Sequence, residues 1–173
     1  MKEMSIDIQN TLNHVENLKY QINFDDVSII GHSTGGGSAY LYCQSNKCST
    51  LILQDPFFVP LVEELNNIEL NSKTYFIYSH DWYVGNDEEN SISEIEVYRH
   101  YTKNKEFAEG YYMTDSAHYD FVAFGTISQL TKYTFLKGTI DYKDSLQTNN
   151  YFNITALRKQ IVVESDFLKL IEE

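Results

Sequence analysis

The sequence predicts an α/β fold, a mostly parallel sheet with helices on both faces, and three observations carry that expectation. Short β-rich apolar runs alternate with segments of helical length along the chain. The stretches between those runs suit the right-handed crossovers that parallel strands need. A Gly-x-Ser-x-Gly pentapeptide, Gly31-His32-Ser33-Thr34-Gly35, falls where the first of these strands gives way to a helix.

Taken in order, Ile8, Leu12, Val15 and Leu18 or Lys19 follow helical spacing and predict an amphipathic helix over residues 5–19. Val27 to Ile30 is a short β-rich run ending at glycine, which reads as a buried strand. A helix is expected after the pentapeptide, through about Gln44. Thr50 to Leu53 predicts a second strand and Thr74 to Ser79 a third. A helix over 91–103, a fourth strand from Phe107 to Met113 and a final helix from Tyr151 to Ile171 complete the pattern.

Bulk properties bound the function. A chain of 173 residues buries a sizeable core as one domain, expected to span 1–173. Its formal charge of −12 excludes phosphate-dominated binding of nucleic acid and simple adsorption to anionic lipid. No stretch reaches transmembrane length and the first ten residues hold no signal-like apolar core, so the chain as written is expected to be soluble. The compartment stays unassigned. Cys43 and Cys48, five residues apart, are expected to be plain packing or surface thiols rather than a metal site or a disulfide framework.

The pentapeptide matches the nucleophile elbow, in which a serine sits on a strained turn between strand and helix. Its Cβ crowds the positions two residues before and after, so Gly31 and Gly35 are expected there because a larger side chain does not fit. The helix start then offers backbone N–H groups and its positive dipole end to an oxyanion, with Thr34 N–H as one donor. A phosphate-binding loop is the bland alternative, in a nucleotide-binding module. No Lys follows Gly37, and that reading leaves the histidine and acid candidates without a purpose.

A serine nucleophile needs a base, and the base needs an orienting carboxylate, in the order Ser, acid, His. His118 lies in the loop after the predicted fourth strand, where the base belongs. His100 falls in a charged helical segment, His80 ends the third strand, and His14 precedes the elbow on a helix surface. Asp55 and Asp81 follow the second and third strands, both on the edge where open α/β sheets bind ligands. Spacing leaves both acids open. Pro56 is expected to hold Asp55 extended at its strand tip.

Beyond these motifs, the chain resembles the plasma-type platelet-activating factor acetylhydrolase family and its bacterial relatives. GHSTGGGSAY resembles the family's elbow and glycine-rich helix start, LILQDPFFVPL its acid-bearing strand, and SAHYDF its histidine loop. LKGTID and the final segment resemble its C-terminal end. The resemblance implies an α/β-hydrolase fold, with Ser33 as nucleophile, Asp55 as acid and His118 as base. It further implies hydrolysis, without calcium or any other metal or cofactor, of short or oxidised acyl esters of phospholipids. One departure matters. The family has several strands before the elbow, and a loop after an early one supplies a second oxyanion donor, whereas 32 residues precede Ser33 here. The chain thus looks like the C-terminal catalytic portion of a family member, with the nucleophile strand near an open sheet edge. A missing donor costs roughly 10²–10³ in rate, so the competing expectation is a truncated, non-catalytic fragment, or half of a split hydrolase needing an upstream partner segment. The open edge equally suits a homo-oligomer.

Overall fold

The computed structural model describes residues 1–18, 20, 22–61, 70, 72–84, 108–122 and 137–171. Five strands form one sheet in the order β1-β2-β3-β4-β5: β1 Ser28–His32, β2 Thr50–Gln54, β3 Lys73–Ser79, β4 Ala108–Met113 and β5 Leu168–Leu170. The first four run parallel and β5 pairs antiparallel with β4. Helices α1 (Lys2–Asn17) and α2 (Thr34–Ser45) lie on one side of the sheet. Helix α4 (Tyr142–Leu157) covers the other, and a short helix α3 (His80–Val84) follows β3 directly. The fold is α/β-hydrolase-like.

Side-chain alternation explains why β2 and β3 read as unbroken apolar runs. Leu51, Leu53, Phe76 and Tyr78 face the core beneath α2, while Ile52, Tyr75 and Ile77 face the core beneath α4. Every residue of β2 is buried. β1 is not the buried strand expected: it ends the strand order among the described residues, only Gly31 of it is buried, and Ile30 remains 43% exposed. The expected edge position of the nucleophile strand is therefore what the described sheet has.

Several expectations need correction. Helix α1 begins at Lys2 rather than residue 5 and buries none of its own residues. It only leans Met1, Ile8 and Leu12 against the α2-side core.

The predicted C-terminal helix over 151–171 is instead α4 over Tyr142–Leu157, followed by extended chain and β5. The Asp141 carboxylate caps α4 by accepting from Lys143 N–H at 2.8 Å, and Lys159, at φ 54°, turns the chain out. The buried face of α4 is Ser145, Thr148, Asn149, Phe152, Thr155 and Ala156, mostly small or polar, so it shows little hydrophobic periodicity.

Cys43 and Cys48 form a disulfide with Cα atoms 5.4 Å apart, not free thiols. Asn46 leaves α2 in an extended conformation (φ −134°, ψ 156°), which folds Cys48 back beside the helix. Both residues are buried in the α2-side core.

The corrections that concern Asp55 and Gly35 belong to the site. The helix expected over 91–103 and the start of the fourth strand at Phe107 lie outside the described residues.

Candidate active site

Ser33 sits between β1 and α2 at φ 54° and ψ −125°, a conformation costly for any residue with a side chain. Its backbone is fixed from the neighbouring strand. Ser33 N–H donates to Gln54 C=O at 3.0 Å, and Phe57 N–H donates to Ser33 C=O at 3.0 Å. The turn needs glycine where backbones meet. A Cβ on Gly31 would stand 2.5 Å from Gly35 O and 2.8 Å from Gly36 Cα, and one on Gly37 would stand 2.5 Å from Phe57 O. Gly35 corrects an expectation: a Cβ there meets nothing within 4 Å. Its carbonyl, not its missing side chain, is what fills the space beside Gly31. Thr34 is the first residue of α2, where helical geometry leaves N–H groups without an acceptor in the helix and where the dipole is positive.

Asp55 follows β2 and is fully buried. Its Oδ1 accepts from Ser79 N–H at 2.6 Å, and its Oδ2 lies 3.1 Å from His118 Nδ1. Burial pushes its carboxyl above the ordinary range, opposed by hydrogen bonds from His118 and Ser79. Pro56 does not hold it extended: Asp55 adopts φ 38°. Its N–H stays in the sheet, bonded to Ile77 C=O at 2.9 Å, while the chain turns at once so that Phe57 can reach Ser33. Aspartate tolerates positive φ better than most residues.

His118 opens a turn of 3-10 helix, His118–Phe121, after β4. The loop is held by the buried Asp120, whose Oδ2 accepts from Ala117 N–H at 2.9 Å and Gly138 N–H at 2.7 Å. Lys137 Nζ lies 3.6 Å from Asp120 Oδ1. Lys137 and Gly138 of the LKGTID segment thus tie to the histidine loop through Asp120.

The other candidates lie elsewhere. Asp81 is exposed in α3, and its N–H donates to Ser116 C=O at 3.2 Å. His80 Nδ1 accepts from Asp115 N–H at 3.3 Å. His14 is in the last turn of α1, and His100 lies outside the described residues. Among the described residues no three His, Cys, Asp or Glu side chains gather as a metal site would require. Nor is any of their helices long and apolar enough to cross a membrane.

Sequence reasoning missed two neighbours of His118. The His32 ring lies 4.5 Å from the His118 ring, and Trp82 of α3 stacks on it at 4.5 Å and 19°. The available signal for His32 was its place beside Ser33 on a strand that alternates faces.

No curated protein matches the chain. The family described as platelet-activating factor acetylhydrolase, isoform II, matches residues 2–171, nearly the whole chain, and supports a hydrolase of phospholipid esters. With the parallel sheet and the elbow at the end of β1, that match places the chain: it belongs to the platelet-activating factor acetylhydrolase, isoform II, family.

Proposed function

We propose that this chain, read as a single domain over 1–173, is a serine carboxylic-ester hydrolase. Ser33 Oγ attacks the ester carbonyl, and His118 Nε2 takes its proton. Asp55 orients the imidazole, and Thr34 N–H stabilises the oxyanion. The observation that carries the reading is the 3.1 Å approach of buried Asp55 to His118 Nδ1 beside the elbow. A carboxylate on Nδ1 holds the proton there and leaves Nε2 as the basic nitrogen for serine. The acyl group passes to Ser33, the alcohol departs with the proton from His118, and water reverses the roles to release the acid. The resemblance supports short or oxidised acyl esters of glycerophospholipids as substrates, hydrolysed without a metal.

A fluorophosphonate serine-hydrolase probe tests this directly. Labelling is expected at Ser33 alone, and Ser33→Ala should abolish it and lower ester turnover by about 10⁶. Labelling that persists at Ser28 or Ser38 in that variant would move the nucleophile.

The exposed Ile30 on an edge strand favours a second reading, in which the chain works only with a further segment paired to β1. Robust turnover by the purified monomer rejects it.

A further inference from the structure

The residue just before the nucleophile brings a second imidazole into the site. His32 is the last residue of β1 and pairs in register with Gln54, so it stands at the same sheet edge as Asp55. Its Nε2 lies 2.9 Å from the backbone oxygen of His118. A carbonyl oxygen only accepts, so Nε2 carries the proton and donates it. The His32 ring meets the His118 ring at 33° from the β1 side, and Trp82 stacks on His118 from the β3 side. Phe121, 5.9 Å from the His32 ring, backs it.

We propose that His32 is a positioning residue for the base: its Nε2–H and its ring hold the His118 imidazole against Trp82, with Nδ1 kept on Asp55 and Nε2 toward Ser33. This rests on the reading of Ser33 as nucleophile and His118 as base. The Asp55 bond fixes one ring atom and leaves the imidazole free to swing about it. Flanking rings remove that swing, and the bond to the His118 carbonyl fixes the backbone that bears the ring. Because His32 is joined covalently to Ser33, one side chain sets the nucleophile and the base relative to each other before substrate arrives. Burial, and then the neighbouring His118, hold the His32 pKa down at about 4, against the pull of its hydrogen bond to the His118 carbonyl. His32 is therefore neutral at neutral pH and adds no charge to oppose the positive charge His118 takes on when it accepts the serine proton.

The test compares the full chain with His32→Phe, which keeps a ring but loses the donor, and His32→Gln, which keeps a donor but loses the ring. The rate of fluorophosphonate labelling at Ser33 is measured per folded molecule, beside kcat and KM for a short nitrophenyl ester. His32→Phe should slow labelling and lower kcat by about 10²-fold with KM little changed, the scale of a misplaced base. His32→Gln should recover part of that loss and remain about tenfold below the parent. A fall in thermal midpoint with labelling rates equal to the parent's overturns the proposal and leaves His32 a packing residue. If His32→Phe does not fold, His32→Gln decides alone: parental labelling rejects the positioning role. Failure of the underlying reading looks different, since the unmutated chain would then not label at Ser33 at all.

Discussion

β2 and β3 lie side by side and each is followed closely by an aspartate, Asp55 directly after β2 and Asp81 in α3, yet the two carboxylates are placed in opposite ways. At the end of β2 the side chain turns inward: Asp55 is fully buried between Ser79 N–H and His118. At the end of β3 the backbone does the holding. Ser79 N–H reaches Asp55, His80 N–H reaches Ser116 Oγ at 3.2 Å, and Asp81 N–H reaches Ser116 C=O. The Asp81 side chain is left to solvent. The chain after β2 supplies the carboxylate and the end of β3 supplies an N–H that fixes it, so aspartates that follow adjacent strands need not be placed alike.

The sharpest way to break this comparison is to neutralise each carboxylate in turn. Asp55→Asn should lower ester turnover by about 10⁴, the cost of replacing a triad acid by its amide. Near-parental turnover would remove Asp55 from the site.

The same variant separates function from stability. Burial raises the Asp55 pKa above its ordinary 3.8, so the unfolded chain releases this proton at lower pH than the folded one. The stability tied to that proton is present below the unfolded value and lost as pH rises through the folded one. At neutral pH the buried carboxylate is then a net cost. Asp55→Asn should therefore match or exceed the parent's thermal midpoint at pH 7 while losing activity, and the advantage should shrink as pH falls toward 4. A midpoint clearly below the parent's at pH 7 would show that the hydrogen bonds outweigh the burial.

The smallest effect belongs to Asp81→Asn. It should change turnover by about tenfold or less, because the carboxylate is exposed, and leave probe labelling of Ser33 unchanged. A loss comparable to that of Asp55→Asn would reverse the comparison.

Much of this was legible because β2 and β3 are apolar on both faces and the elbow has steric rules. β2, β3 and the elbow lie within a residue or two of their expected bounds. Spacing left Asp55 and Asp81 both open, because it does not encode which carboxylate is buried beside His118. Helix α4 escaped because Asn149 and Asn153 point into the molecule, where both carbonyl oxygens accept from Gln54 Nε2. Such a face leaves no apolar stripe. The Cys43–Cys48 bridge depends on a backbone reversal at Asn46 that residue spacing does not encode.

The positive φ angles of Ser33 and Asp55 carry a consequence for how the chain acquires its site. Each such residue costs on the order of 1–3 kcal/mol, met only when surrounding structure over-determines it. For Ser33, the bonds from outside its own turn run to Gln54 and Phe57, about twenty residues later in the sequence. For Asp55, the clasp comes from Ser79 and His118. On a growing chain, residues 27–45 can form a strand and a helix but have nothing yet to hold the serine in its reactive turn. The contacts that hold Ser33 need β2 beside β1, and those that hold the Asp55 carboxylate need the segment bearing His118 as well. On the proposed mechanism, a nascent chain of this design would be chemically silent until the segment bearing His118 has folded.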